Sequence, residues 1–426
     1  MNKPTTKKKP SSRPYKALRP PKVELHPITI KQFKRGHPWV TKDQFTNRFP
    51  KRSDFLIGGN LQNPRIAFLL HDPTHPKVKA RLWSLEEPFP NCPDKFQDQL
   101  FYRVKEAFEL REKLNLVEER DNFYLCFGEA DRLPGLFILK LGPILLFQYY
   151  SNFWTKYQTM LMKAVTFGLK HHFPDNNLTS WWAQNRNITQ EKYFTQIFPK
   201  KSGQLKDTKF VISEFGIKYN IQINESYDTG IYTDMASIRK SLTPYFKENG
   251  SLLNLYSYTG AYSLFALNKN MNEVHSVDLS KKYMDLLEEN INKNSNLDYN
   301  NHYPHISSVD KAIDKFIKDN KKFDFIICDP PSSSSDGKKI TNSLNSYQHL
   351  LPKIAELLKP EGYTAIFINT QKVTWKKFTE SLEQTIEKNK TLNLKIIKKI
   401  TQKEDCPTLP RFPEGSYLKG YLIQRH

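Results

Sequence analysis

From about Tyr227 onward, short apolar runs alternate with stretches whose apolar residues recur every three or four positions. The runs Leu252–Tyr256, Val274–Asp278, Phe323–Cys328 and Tyr363–Asn369, with a weaker one at His305–Ser308, predict strands buried on both faces. The periodic stretches Ser280–Lys293, Asp310–Asp319 and Asn342–Leu358 predict helices between them. Such alternation gives a parallel sheet covered on both faces, whose ligand sits beyond the carboxyl ends of the strands.

The pattern upstream is different. Phe55–Ile57, Ile66–Leu70 and Val78–Trp83 are short strand-like pieces set off by turn residues such as Gly58, Gly59 and Asn60, which predicts a small β-rich barrel up to about residue 90. Pro88, Pro90 and Pro93 read as a linker. A helix is expected over Lys95–Asn115, then strands at Phe123–Phe127, Leu136–Leu141 and Ile144–Tyr150, a helix at Thr155–His171, and a hairpin from Phe210–Glu214 and Ile217–Asn224. The expected divisions are a disordered basic tail at 1–22, a β-rich domain at 23–92, a linker helix with an α+β domain at 93–226, and the α/β domain at 227–426.

Charge adds a partner to this picture. Lys plus Arg number 65 against 44 Asp plus Glu, a formal net charge of +21, which points to a polyanion and to RNA first. Met1–Lys22 concentrates basic residues and prolines without an acid, as an electrostatic arm for RNA would. It has no apolar core like that of a secretory signal, and no run of about 20 apolar residues exists to span a membrane. Cys92, Cys126, Cys328 and Cys406 form no CxxC pair, which excludes a zinc ribbon or a thioredoxin-type site and suits a reducing, cytoplasmic compartment. His171 and His172 lack a metal-spaced partner and read as surface residues; Trp181 and Trp182 read as packing rather than a stacking platform.

Three features carry the chemistry. Asn254-Leu-Tyr256-Ser-Tyr258-Thr259-Gly260 follows the first strand of the α/β region, where backbone N–H groups and a helix start can face a polar ligand. Asp278 ends the second strand, the place of an acid that accepts bonds from a ribose diol. Asp329-Pro330-Pro331 ends the strand Phe323–Cys328. Two prolines fix φ and remove donors, making a rigid mouth fit to grip a flat base.

These segments, LLNLYSYTG (252–260), SVDLS (276–280) and FDFIICDPPS (323–332), resemble the S-adenosylmethionine-dependent large-subunit rRNA methyltransferases of the 5-methylcytosine type. Gly36–Val40 and Lys79–Ser84 resemble that family's opening PUA domain, Gly128–Leu136 its middle domain, Thr229–Asp234 the approach to its methyltransferase domain, and Phe412–Gly420 its C-terminal strand. The resemblance covers about residues 22–426. It implies an α/β fold: a seven-stranded Rossmann-like methyltransferase sheet, an N-terminal PUA-like barrel and a small α+β middle domain. S-adenosylmethionine is the implied cofactor, held by Asn254, Tyr256, Tyr258, Thr259, Gly260, Asp278, Leu279, Asp310 and Asp329. Asp278 would take the ribose hydroxyls and Asp310 the adenine amino group. Asp329, Pro330 and Pro331 would bound the methyl-transfer site. RNA, rRNA in particular, is the implied partner, without a membrane; a homodimer stays open.

The chain departs from the family at a decisive place. Making 5-methylcytosine requires a cysteine thiolate to attack carbon 6 of the ring, and Asn369 stands where that cysteine is expected. Cys328 reads as a buried core residue, and Cys406 as a loop thiol that could face the site without an obvious base. Met235, Ala236 and Ser237 replace polar and charged positions, and Ala261 a second glycine. A base amino group or ring nitrogen is therefore as fitting an acceptor as carbon 5. The alternative is a non-catalytic RNA-binding or ribosome-assembly protein that keeps the methyltransferase fold.

Overall fold

The computed structural model describes residues 18–46, 50–187, 194–198, 208–223, 227–331, 333–335 and 340–426. The expected basic tail lies outside them as far as residue 17, as does Ser332. Residues 18–22, expected to belong to that tail, are instead attached to the fold: the Leu18 N–H donates to Asn91 O at 2.8 Å, and Lys22 pairs with Ile57.

The chain begins with β1 (Lys22–Glu24), α1 (Pro27–Lys34), β2 (Trp39–Thr41), β3 (Phe55–Gly59), β4 (Ala67–His71) and β5 (Val78–Ser84). These strands form one sheet in the order β1-β3-β4-β5-β2. A bridge between Leu25 and Phe45 ties its two ends together. The short pieces β1 and β2 were not legible in the sequence.

The middle region comprises α2 (Pro93–Lys113), β6 (Asn122–Phe127), β7 (Leu136–Leu141), β8 (Ile144–Tyr149), α3 (Phe153–Lys156), α4 (Gln158–His172), β9 (Ser180–Asn185), β10 (Thr195–Phe198), β11 (Lys209–Glu214) and β12 (Ile217–Gln222). Pro93, expected in the linker, is the first residue of α2, where its missing N–H costs nothing. Strands β6 to β10 form a second sheet, and β11 and β12 a hairpin. Trp181 and Trp182 pack on opposite faces of the second sheet, 7% and 1% exposed. That resolves them as packing residues. His172, expected at the surface, pairs with Glu112 at 2.7 Å.

The last region runs through α5 (Ala236–Leu242), β13 (Ser251–Leu255), α6 (Ala261–Asn268), β14 (Glu273–Asp278), α7 (Lys281–Asn292), β15 (His302–Ile306), α8 (Val309–Lys318), β16 (Phe323–Cys328), β17 (Ser333–Ser335), β18 (Ile340–Asn342), α9 (Ser343–Leu357), β19 (Leu358–Asn369), α10 (Trp375–Lys388), β20 (Leu394–Thr401) and β21 (Leu418–Arg425). Seven strands form one sheet in the order β15-β14-β13-β16-β19-β21-β20, with β21 antiparallel to both neighbours. The expected seven-stranded sheet is thus present. Its third strand starts three residues and ends two residues earlier than expected, at an edge that tolerates Pro304. The segment Phe412–Gly420 becomes a 3-10 turn at Pro413–Gly415, and the strand starts only at Leu418.

Strand residues alternate between the two faces. Leu252, Phe325, Ile327, Ala365 and Phe367 share a core with α6, α7 and the middle sheet. Leu253, Ile326, Cys328, Ile366 and Ile368 share another with α8, α9 and α10. A third core joins Phe55, Phe68 and Trp83 to α2, α4 and the far face of the middle sheet. The middle sheet therefore packs against the other two through separate apolar cores on its two faces, and the carboxyl ends of β13, β14, β16 and β19 meet where the strand order reverses.

Candidate functional site

The loop after β13 is built from strained residues. Tyr256, Tyr258 and Gly260 all have left-handed backbones, with φ of 59°, 50° and 81°. For the two tyrosines this costs on the order of 1–3 kcal/mol each. Hydrogen bonds hold the strained path: Ser257 N–H to Val277 O, Tyr258 N–H to Asp278 Oδ2 and Gly260 N–H to Ser257 O, each at 2.9 Å. The second Asp278 oxygen accepts from Ser280 N–H, also at 2.9 Å. Thr259 Oγ1 donates to Gly230 O at 2.5 Å. Only glycine fits at 260, because a Cβ there would lie 2.2 Å from Leu287 Cγ.

This loop forms one wall of a cavity of about 930 Å³. Asn254, Tyr256, Tyr258, Thr259, Asp278, Leu279, Asp310, Asp329, Pro330 and Pro331 all line it. Gly260 does not; it stands behind the wall as the N-cap of α6, and its role is close packing against α7. Asn254 faces the cavity, but its amide is engaged with Ser263 Oγ at 2.9 Å. Asp310 sits 3.2 Å from His349 Nε2. Leu279 is an exposed rim residue.

The structure adds residues that sequence reasoning passed over. Asp228, Tyr232, Asp234, Arg239, Tyr262 and Tyr283 also line the cavity. Asp228, Tyr232 and Asp234 flank the Gly230 segment, so the signal in the sequence is an acid on each side of a glycine, in a stretch that otherwise reads as a junction. Tyr258 packs edge-on against Tyr283, with ring centres 4.6 Å apart, and Tyr232 lies 5.2 Å from Tyr258 on the other side. Burial pushes the Asp329 carboxyl up to about 7; the nearby Asp234 charge adds to this and Arg239 opposes it. Asp234 is likewise raised by burial, against a 2.5 Å hydrogen bond from Tyr417 Oη. Asp228 is raised by burial, against Arg186. Arg239 is held by a buried two-pronged bond to Glu214, at 2.7 and 2.8 Å.

No cysteine lines this cavity or the one beside it. Cys328 is fully buried among α8, α9 and the sheet, as expected of a core residue. Cys406 lies in the loop between β20 and β21, as expected, but it does not face the site. It is 2% exposed inside the core shared with the middle sheet, and burial drives its thiol well above the ordinary range. Asn369 does reach the site, lining both cavities at the end of β19.

The cavity suits S-adenosylmethionine. Ser257 and Tyr262 are 5% and 7% exposed, yet Ser257 Oγ and Tyr262 Oη have no hydrogen-bond partner. Buried hydroxyls left this way are rare, and a water or a ligand's polar atom can complete them. The carboxylate of Asp278 stands at the carboxyl end of β14, in the cavity wall.

Comparison with known proteins agrees with this architecture. The crystal structure of SMU.776 complexed with SAH superposes with a TM-score of 0.82 at 20% identity, over 95% of this chain and all of that one. The SAM-dependent methyltransferase from Agrobacterium tumefaciens also superposes, with a TM-score of 0.51 at 16% identity, over 72% of this chain and 90% of that one. The chain has the fold of an S-adenosylmethionine-dependent methyltransferase. The family described as "Conserved hypothetical protein 95" matches residues 235–394. Ribosomal RNA large subunit methyltransferase I of Pseudoalteromonas translucida is 26% identical over 399 residues, 92% of this chain and 96% of that protein. The protein of the same name from Erwinia tasmaniensis has the same identity and coverage.

Proposed function

We propose that this protein transfers a methyl group from S-adenosylmethionine to a base of large-subunit ribosomal RNA. The observation that carries this reading is the convergence of Asp278, the strained 256–260 loop and Asp329-Pro330-Pro331 on one cavity at the strand ends. The full-length likeness to rRNA methyltransferases supports the substrate.

Asp278 takes the ribose hydroxyls, with its carboxylate preset by Tyr258 and Ser280. Asp310 faces the adenine. Asn254 and Thr259 fix the loop by the bonds they already make. When bound, the cofactor supplies an electrophilic methyl group on a sulfonium. Asp329 borders the acceptor base, accepts a hydrogen bond from its amino group and, near neutral pH, takes its proton. Pro330 and Pro331 keep the mouth rigid. The acceptor is a nitrogen, because it brings its own lone pair and needs no covalent catalyst, and none of the four cysteines lines the cavity.

The domain roles follow. Residues 23–92 act as a PUA-like RNA-binding domain, 93–226 as the connecting domain and 227–426 as the methyltransferase domain. Mass-spectrometric nucleoside mapping of rRNA from a strain lacking the protein tests the reading. A single missing methylated nucleoside is expected. An unchanged map together with no S-adenosylmethionine binding would leave an RNA-binding protein without chemistry.

A further inference from the structure

A second cavity of about 400 Å³ adjoins the first and shares Asp228, Tyr232, Asp234 and Asn369 with it. All three sheets contribute to its walls. Trp39 and Arg81 come from the N-terminal sheet, while Tyr150 and Arg186 come from the middle region. Phe412, from the loop before β21, closes it: its ring stands 4.8 Å from Trp39, and Trp39 Nε1 donates to Glu129 at 2.7 Å. Asp405 anchors that loop by accepting from Arg120 and from Tyr124 N–H, at 2.5 and 2.7 Å.

Arg81 is the unusual residue. It is 2% exposed, and Nη2 donates to Tyr150 O at 2.8 Å. Nε faces Glu129 at 3.5 Å, but Nη1 has no hydrogen-bond partner. Thr233, 3% exposed in the same wall, has an unpartnered Oγ1. A buried guanidinium with an idle N–H is costly unless a water or a ligand completes it, and a ligand in the chamber can take that place. The wall also offers flat faces. The Arg186 guanidinium lies 3.9 Å over the Tyr227 ring and 5.7 Å from that of Tyr150. Aromatic and guanidinium planes are the surfaces on which unstacked RNA bases lie. The volume falls in the range of small-ligand pockets.

We propose that this chamber receives one nucleotide extruded from the RNA and that Arg81 recognises it, through Nη1, by an acceptor oxygen. The inference rests on the methyltransferase reading and extends it: the N-terminal sheet completes the target site, and does not merely anchor the RNA. The oxygen belongs either to the base edge or to the phosphate.

The test titrates the protein, saturated with S-adenosylhomocysteine, with the four ribonucleosides and their 5′-monophosphates by ligand-detected NMR. At least one nucleoside or monophosphate should bind, and Arg81→Lys should weaken it tenfold or more while S-adenosylhomocysteine affinity stays unchanged. Binding of nucleosides assigns Arg81 to the base; binding of monophosphates alone assigns it to the phosphate. Thr233→Val, which keeps the side-chain shape, should weaken the same ligand severalfold and serves if Arg81→Lys does not fold. Wild-type protein that binds S-adenosylhomocysteine but no nucleoside or monophosphate overturns this inference alone, as does unchanged affinity in both variants. Failure to bind S-adenosylhomocysteine overturns the methyltransferase reading itself.

Discussion

The Tyr258 main-chain N–H donates to the Asp278 carboxylate at 2.9 Å, so the acid that would hold a ribose is also the post that holds the loop around it. Asp278→Ala therefore removes two things at once. It deletes charge-assisted bonds to the ligand worth about 1.5–3 kcal/mol each, and it leaves the amides of Tyr258 and Ser280 without their acceptor. Calorimetry should show S-adenosylmethionine affinity falling about tenfold or more. An unchanged affinity would remove Asp278 from the site.

Asp329 gives the site a pH dependence. Its carboxyl is raised to about 7, so the folded protein binds that proton more tightly than the unfolded chain. The stabilisation is complete below the ordinary carboxylate range and is lost as pH rises through about 7. Asp329→Asn abolishes this contribution, so its stability relative to wild type should improve on raising the pH from about 4 to about 8. A tenfold difference in proton affinity between the folded and unfolded chain corresponds to about 1.4 kcal/mol. Methyl transfer should rise with pH through about 7, where the carboxylate becomes able to accept a proton, and should be lost in Asp329→Asn. Denaturant titrations at several pH values, set beside the pH–rate profile, check both signs.

The legible parts of this protein were those with a clear period or a punctuating residue. Strand ends marked by Asp278 and by Asp329-Pro330-Pro331 could be placed because each apolar run stops abruptly there. Helix α6 could not, because it is apolar around its whole circumference, with six of its eight residues buried, and so shows no stripe. Asp234 was missed as a site residue because its value lies in three dimensions: Tyr417, Arg239 and Asp329 surround it from distant parts of the chain. The burial of Cys406 was hidden for the same reason. Its segment has the composition of a loop, yet Arg111 and Arg120 draw the neighbouring Asp405 against the middle sheet and bury the thiol behind it.

The cysteines make a direct measurement possible. Cys126, Cys328 and Cys406 are buried, and burial raises each thiol above its ordinary range; Cys92 alone is partly exposed. The thiolate is the reactive form. A native titration with a thiol reagent should therefore count about one group per chain, and a denatured one all four. For the same reason RNA carrying 5-fluorocytosine should form no stable adduct. An adduct that disappears in Cys406→Ser would restore carbon-5 chemistry with a relocated nucleophile.

RNA affinity should fall linearly with salt on logarithmic axes, because each neutralised phosphate releases counterions. The informative truncation removes residues 1–17 and spares Leu18–Lys22, which are bonded to Asn91 and to β3. That truncation should flatten the salt slope without changing which RNA is preferred. A full-length protein whose affinity ignores salt would refute the electrostatic reading of the tail.

Arg239 and Glu214 link stability to the chemistry of the site. The pair is buried, and Asn122 Nδ2 also donates to Glu214, at 2.6 Å. Removing one partner strands the other, a loss of about 3–5 kcal/mol in a buried ion pair. Glu214→Gln and Arg239→Met should each destabilise the protein by that order in denaturant unfolding. Their effects on activity should run in opposite directions along the pH axis. Arg239 holds the Asp329 carboxyl down, so Arg239→Met should move the pH midpoint of methyl transfer upward. Glu214→Gln leaves the Arg239 charge less neutralised and should move that midpoint downward. A merely structural pair would lower both rates without moving either midpoint, so the two shifts separate packing from electrostatic control of Asp329.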